Sequence, residues 1–234
     1  MQSWHHAMLE EVTRERRRLA TRRGFLSGSA KFLGGAAAAL SITALPQLPG
    51  LQATQAQAVF ADDVDVLNYA LTLEHLEYAF YRDGLEQFTD EDFGVGPFLR
   101  PISAFLIDIR DHEQAHVERL TEVITSLGGT PVEEAAYNFG YTDAATFLTV
   151  AQALENTGVS AYDGAGQFLE NPELLTAAGS IVAVEARHAA YLNLLLGALP
   201  FPEPFETPLT PAEVLAIAGP FIVTDPVAEA TPAA

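Results

Sequence analysis

The chain has 234 residues, of which 49% are hydrophobic, and this is enough for one sizeable core. It contains no cysteine, which excludes disulfides, zinc–thiolate sites and iron–sulfur clusters. The net charge is −19, yet seven of the 12 lysines and arginines lie within residues 1–31. This asymmetry indicates two parts of the chain with different tasks.

The first part, residues 1–58, has the features of an export signal. The basic segment TRRGFL (21–26) is followed by a weakly apolar stretch (32–45) and then by AQA (56–58), the small residues of a signal peptidase site. Adjacent arginines before Gly-Phe-Leu resemble the twin-arginine signal, whose machinery exports folded proteins. We therefore predict a periplasmic or extracellular protein that is exported by the twin-arginine machinery.

Two features of this segment stay open. The signal is either cleaved or retained as an anchor, although its apolar stretch is short and glycine-rich for a membrane span. The segment is also longer than such a signal needs, so that the true start is either Met1 or Met8.

After residue 58 the chain is strongly acidic, with five arginines and no lysine. A surface of this charge repels nucleic acid and anionic membranes. We therefore expect no nucleic-acid partner, whereas the formation of a homo-oligomer is left open.

Helical periodicity begins directly after the signal. The first helix is predicted from about Asp62 to Asp83, with Gly84 as its stop. The second is predicted from about Pro101 to Leu127, because proline suits a first turn and the glycines that follow end the helix.

The second half of the chain repeats this pattern. A third helix is predicted to begin near Thr142 or Asp143, of which the aspartate is a good N-cap. A fourth begins with Asn171 as cap and Pro172 in the first position, and ends at Gly197.

The C-terminal part is predicted to hold one short helix, residues 211–218, that packs on the bundle. No strand pattern of any length is present, so the fold class is all-α. The predicted domains are a signal (1–58), a four-helix bundle with a short extra C-terminal helix (59–225) and a disordered tail (226–234).

Each of the four long helices has an apolar seam that is interrupted at its centre by a carboxylate. A lone buried carboxylate costs several kcal/mol or takes up a proton, and four of them in one core would repel each other unless cations bound between them. The second and fourth helices add a histidine three residues later, on the same face. The resulting set is Glu74, Glu113, His116, Glu155, Glu185 and His188.

Two single glutamates and two Glu-x-x-His motifs form the ligand set of ferritin-like di-iron and di-manganese carboxylate proteins. The chain resembles the ferritin-like superfamily, and within it the exported proteins of the desiccation-related group. The stretches that carry the resemblance are LNYALTLEHLEYAFY (67–81), DHEQAHVERL (111–120), LGGTPV (127–132), ALENTGVSAY (153–162) and VEARHAAYL (184–192).

The resemblance implies two iron or two manganese ions, with oxygen and imidazole ligands that suit either metal. It implies that Glu74 and Glu155 are terminal ligands and that Glu113 and Glu185 are bridging ligands. The histidine ligands would be His116 and His188. It further implies that Tyr81 and Tyr162 lie near the site and hydrogen-bond to ligands across it.

The first helix offers a second carboxylate. Glu77 lies one turn after Glu74 and is predicted either to replace it as a ligand or to stand beside it in the second shell. His75, His112 and Glu118 are expected to lie off the centre of the site, as residues of a solvated helix face.

Three functions follow as hypotheses. The first is an oxidoreductase that acts on ferrous iron, peroxide or dioxygen as a ferroxidase, peroxidase or catalase-like enzyme. The second is a non-catalytic, structural or stress-protective exported bundle. The third is an iron-storage protein. The metal or a small oxidant is then the expected partner.

Overall fold

The computed structural model describes residues 60–96 and 100–223. Six α-helices lie within them: α1 (Asp63–Gln87), α2 (Asp90–Phe93), α3 (Ile102–Ser126), α4 (Ala144–Gly166), α5 (Pro172–Leu195) and α6 (Pro211–Ala218). The predicted signal and tail lie outside this part of the chain. No helix in the described ranges is long and apolar enough to cross a membrane.

Side-chain caps fix where four of the helices begin. Asp62, Asp143, Asn171 and Thr210 each accept a hydrogen bond from a backbone N–H of the first turn. Such a cap satisfies one of the N–H groups that have no partner inside a helix. The predicted starts at Asp143 and Asn171 are therefore confirmed.

The four long helices form the bundle in an up-down-down-up order. Helix α1 packs against α3 and α4, and α4 packs against α5. The side chain of Asn68 near the start of α1 bonds to Thr130 and Val132 just beyond α3, so these two helices are antiparallel. Phe80 near the end of α1 stacks on Phe147 near the start of α4, so these two helices are antiparallel as well. Helices α3 and α4 therefore run in the same direction, which requires the long connection 127–143 along the bundle. One such crossover is typical of ferritin-like bundles.

Aromatic side chains fill one end of the bundle, where the crossover meets α1 and α4. The rings of Phe80 and Phe147 stack with centroids 4.5 Å apart, and Phe139 and Tyr141 of the crossover contact Phe80 edge-on. Both Phe80 and Phe147 are fully buried. Burial of side chains of this size stabilises a fold by about 1.5–3 kcal/mol each.

The chain after α5 returns to the bundle and closes on the crossover. The N–H of Leu209 donates to the carbonyl of Ser160 in α4 at 3.0 Å, and the N–H of Val223 donates to the carbonyl of Ala136 at 2.8 Å. Between them lies α6, with Val214 buried against the core. In the described ranges the only β-type pairings are two isolated bridges, one of them between Tyr137 and Ile222.

Two details of the predicted elements are wrong. Helix α1 does not stop at Gly84 but continues to Gln87, because Gly84 keeps a helical backbone and serves close packing. A Cβ atom at Gly84 would lie 2.1 Å from the ring of Phe147. The four-residue helix α2 was not predicted, since its segment reads as an acidic loop and is too short for helical periodicity.

Candidate metal centre

The six predicted ligand residues converge at the centre of the bundle. Each of the four long helices contributes one glutamate, and all four glutamates are fully buried. The two histidines are also buried, with exposed fractions of 9% for His116 and 5% for His188. The single glutamates come from α1 and α4, and the Glu-x-x-His motifs come from α3 and α5.

The first half of the cluster surrounds His116. Its Nδ1 atom lies 3.2 Å from Glu74 Oε2, 3.2 Å from Glu113 Oε2 and 2.9 Å from Glu185 Oε1. One ligating atom from each of these four residues can be chosen so that all lie within 4.8 Å of one another. This spacing fits a metal ion at their centre.

The second half surrounds His188 in the same way. Its Nδ1 atom lies 3.0 Å from Glu113 Oε1, 3.3 Å from Glu155 Oε2 and 3.4 Å from Glu185 Oε2. The ligating atoms of these four residues again lie within 4.8 Å of one another. Glu113 and Glu185 thus each turn one oxygen to His116 and the other to His188, as a bridging carboxylate does.

Two tyrosines hold the outer oxygens of the single glutamates. The hydroxyl of Tyr81 in α1 donates to Glu155 Oε1 in α4 at 2.7 Å, and the hydroxyl of Tyr162 in α4 donates to Glu74 Oε1 in α1. Burial and the neighbouring carboxylates raise the pKa of both hydroxyls well above the usual range, so both stay protonated as donors.

Several buried atoms of the cluster lie within ion-pair distance of other cluster atoms but make no hydrogen bond of suitable geometry within the described part of the chain. They are Glu113 Oε1, Glu155 Oε2, both carboxylate oxygens of Glu185 and His188 Nδ1. Buried polar atoms without partners are rare and costly in folded proteins. All five atoms face the interior of the cluster and are lone-pair donors, so the residues fit a bound cation.

Without a cation, the residues must share protons. Burial and repulsion from Glu185 raise the pKa of Glu113 well above its usual range, and burial raises the pKa of Glu155 to about 7. Burial opposes the charge of Glu185 too, but contact with the two histidines lowers its pKa to about 2. Burial would lower the pKa of His116 and His188, but their carboxylate neighbours raise it to about 12.

Glu77 lies outside both groups of ligating atoms. Its carboxylate is buried against α4, where a Cβ atom at Gly158 would lie 3.0 Å from Glu77 Oε1. Burial and repulsion by the four glutamates of the cluster raise its pKa well above the usual range. The geometry therefore places Glu74, and not Glu77, beside His116.

The three residues expected to lie off the centre are absent from both groups of ligating atoms, but one of them contacts a predicted ligand. His75 points to the crossover, where its Nε2 lies 3.2 Å from the carbonyl of Val132, and Glu118 is exposed. His112 is exposed as well, but its Nδ1 lies 2.9 Å from Nε2 of His188, and the two rings stack at 5.2 Å. His112 therefore fixes the outer nitrogen of His188, a contact across two helices that sequence spacing along one helix does not reveal.

The chain is similar to a curated fungal protein. Protein rds1 of Schizosaccharomyces pombe (strain 972 / ATCC 24843) is 29% identical over 174 residues, which are 71% of this chain. The match spans only 41% of the length of that protein.

Solved structures that are similar to this chain include two bacterial proteins. One is a ferritin-like, diiron-carboxylate protein from Bacillus anthracis str. Ames, with a TM-score of 0.48, 23% identity and coverage of 57% of this chain and 94% of that chain. The other is the conserved hypothetical protein rv2844 from Mycobacterium tuberculosis, with a TM-score of 0.48, 21% identity and coverage of 60% and 94%.

The family assignment comes from a sequence profile. The profile of the ferritin-like domain matches residues 62–198, which include all four long helices and all six residues of the cluster. The match covers more than half of the chain. The chain therefore belongs to the ferritin-like domain family.

Proposed function

We propose that the protein binds two divalent iron or manganese ions in the bundle core. One ion would take Glu74 and His116, the other would take Glu155 and His188, and Glu113 and Glu185 would bridge them. The observation that carries this proposal is that both central glutamates turn one oxygen to each histidine. Five buried atoms of the cluster also lack a hydrogen bond among the described residues, which a purely hydrogen-bonded core does not explain.

The donor set supports the choice of metals. Carboxylate oxygens and imidazole nitrogens without thiolate suit iron and manganese, and four carboxylates neutralise two divalent cations. The nitrogen that faces the cluster is Nδ1 in both histidines. The chain therefore offers six groups that are pre-arranged by four rigid helices.

We further propose redox chemistry at this centre, with ferrous iron, peroxide or dioxygen as reactant. The metals, when bound, would bind the oxidant and donate electrons to it. The chain excludes bulk water through complete burial of the four glutamates. The two tyrosine hydroxyls hold the terminal carboxylates in place and keep protons close to the reacting region.

Metal content of the purified chain tests the first part. After expression in medium with iron and manganese, plasma mass spectrometry should find about two metal ions per chain. The Glu185→Ala variant should lose most of the metal, because it removes a bridge between both ions. Glu118→Ala on α3 is the matched control, since Glu118 is exposed, and it should keep the metal. A wild-type chain that stays empty after reconstitution with both metals would refute the proposal.

Activity assays test the proposed redox chemistry. A loaded protein should consume peroxide or speed the oxidation of ferrous iron, and Glu185→Ala should not. Loaded protein with neither activity would favour the non-catalytic protective bundle. Accumulation of many iron ions per chain would instead favour iron storage.

Export is a separate proposal that rests on residues 1–58. Cells that express the full chain should place the protein outside the cytoplasm, and replacement of Arg22 and Arg23 by lysine should retain it inside. Mass spectrometry of the exported form would show whether the signal is removed after Ala58.

A further inference from the structure

A cavity of about 360 Å³ lies between α1, α3, α4 and α5 at the end of the bundle opposite to the aromatic cluster. Its walls are mainly apolar, and several of them are core residues with buried side chains: Leu67, Ala70, Leu120, Leu174 and Ile181. The exposed side chains of Arg119 and Glu173 belong to its lining as well and mark the side that faces solvent.

Tyr162 joins this cavity to the carboxylate cluster. The residue lines the cavity, and its hydroxyl donates to Glu74 Oε1. Only 8% of Tyr162 is exposed, so the residue belongs to the buried part of the cavity wall. A molecule in the cavity would therefore be separated from the candidate metal centre by a single side chain.

The two halves of the repeated chain differ in sequence at positions that line the cavity. When the two Glu-x-x-His motifs are aligned, Phe105 and Leu106 of α3 correspond to Ala177 and Ala178 of α5. Both alanines line the cavity. Large side chains in one half of the bundle are thus replaced by methyl groups in the other.

The other helix pair shows the same difference. Aligned on the single glutamates Glu74 and Glu155, Val66 of α1 corresponds to Phe147 of α4. Val66 lines the cavity, whereas Phe147 is fully buried in the aromatic cluster at the opposite end. Leu106 is fully buried there too. The end of the bundle near Tyr81 is therefore filled with side chains, whereas the end near Tyr162 contains the cavity.

We propose that this cavity is a binding site for an uncharged, mainly apolar organic molecule of about two or three rings. Proteins bind small molecules in cavities of about 300–1,000 Å³ with apolar walls and a few polar groups. A cavity of about 150 Å³ already accepts benzene. Apolar walls exclude a charged ligand from the interior, because its lost hydration would not be replaced.

Binding at this site needs no metal, and its test is therefore independent of the proposed metal centre. The probe is N-phenyl-1-naphthylamine, an uncharged molecule whose fluorescence increases in apolar surroundings. Titration of the full chain, in the presence and in the absence of a chelator, should give saturable binding of one probe per chain in both cases.

The Ala178→Leu variant reproduces in α5 the side chain that fills the opposite end. It should weaken probe binding by about tenfold or more, because the added side chain occupies the cavity. The melting temperature should not fall, since the variant fills existing space. Ala183→Leu is the matched control, because Ala183 is an exposed alanine of the same helix and does not line the cavity, and it should bind the probe as the wild type does.

Val66→Phe offers a second variant that fills the cavity from α1, in case leucine at position 178 disturbs folding. Loss of binding in a folded variant of either kind, with binding kept in Ala183→Leu, supports the proposal. The proposal would be overturned if the wild-type chain showed no saturable binding, or if both folded cavity variants bound the probe as tightly as the wild type does.

Discussion

The hydroxyl groups of Tyr81 and Tyr162 each reach across the bundle to the glutamate of the other half. Each donates to the oxygen that faces away from the centre of the cluster, so that the inner oxygen stays available. Groups that orient metal ligands in this way typically change metal affinity by about 10–100-fold when they are removed. These two side chains are therefore predicted to act through Glu74 and Glu155 and not as ligands.

Removal of each hydroxyl should affect one metal position. Tyr81→Phe should weaken the position that contains Glu155, and Tyr162→Phe the position that contains Glu74, by about 10–100-fold in metal affinity. Competition with a chelator measures both constants. Tyr78→Phe is the control, because Tyr78 contacts Arg82 and makes no hydrogen bond to the cluster in the described part of the chain, so the metal affinity of this variant should be unchanged. Equal losses in all three variants would contradict this assignment.

His112 makes the two halves of the cluster unequal. It contacts the outer nitrogen of His188, whereas no contact of this kind is seen for His116 among the residues that the structure describes. His112→Phe should lower metal affinity by about 10–100-fold at the His188 position and leave the other position nearly unchanged. Metal titration that resolves two binding steps checks this. Gln114→Ala, an exposed change on the same helix, should leave both steps intact.

The sequence predicts which residues meet in the cluster, but it does not predict all of the residues that contact them. The residues at i and i+3 share a helix face, so the two Glu-x-x-His motifs reveal their own geometry. The choice between Glu74 and Glu77 depends on the rotation of α1 against α4, which spacing within α1 leaves open. The same holds for His112, whose partner is on another helix.

At the scale of the helix, glycines serve two opposite purposes. Gly128 and Gly197 have positive φ angles of 81° and 77° and follow the ends of α3 and α5, as predicted. Gly84 lies inside α1 and permits the close approach of the ring of Phe147. A sequence does not distinguish these uses, since both place a glycine after an apolar periodic stretch.

Substitution by alanine separates the two uses. Gly84→Ala should lower the free energy of unfolding by about 1–3 kcal/mol, because the buried ring of Phe147 has no room to move. Gly179→Ala in α5 is the control, since a Cβ atom there meets no other atom within 4 Å. It should raise the free energy of unfolding by about 0.5–1 kcal/mol through helix propensity. Denaturant unfolding measures both, and a stabilised Gly84→Ala protein would contradict the packing argument.

The caps explain why most helix boundaries were predictable. Asp143 and Asn171 form local hydrogen bonds within the first turn, and such bonds depend on neighbouring residues in the sequence. Helix α2 has a cap as well, at Thr89, but four residues carry no periodicity. Its position depends on contacts with α3 and α4, which are remote in sequence.

For the whole molecule, the charge in the core links stability to pH. The pKa of His116 and His188 is about 12 in the folded protein and about 6.5 in an unfolded chain. Their stabilising effect is complete below about pH 6.5 and decreases as pH rises towards 12. Glu155, with a folded pKa of about 7, also favours folding less as pH rises through 7. The lowered pKa of Glu185 contributes stability that is fully present above about pH 4.3 and is lost as pH falls towards 2, so it does not change the trend above pH 5.

The melting temperature should therefore decrease from pH 5 to pH 9 when a chelator has removed the metal. With metal bound it should increase over the lower part of this range, because the ligands must lose their protons to bind. Calorimetry at several pH values, with and without metal, checks both trends. The same trend in both series would show that metal does not replace protons in this core.

The bundle of four helices was predictable because each helix has one apolar seam with a carboxylate at its centre. The filled and open ends of the bundle were not predictable in this way. They follow from differences between the halves, such as Leu106 against Ala178, which become meaningful only when the helices are placed around a common centre.

The return of the chain after α5 has a consequence for how the molecule is made. Residues 209 and 223 hydrogen-bond to residues 160 and 136, which are synthesised much earlier. The crossover that joins the two halves is thus secured by the final part of the described chain. On a ribosome these contacts can form only after all four bundle helices have emerged, so the closing of the crossover is among the last steps in the folding of the described chain.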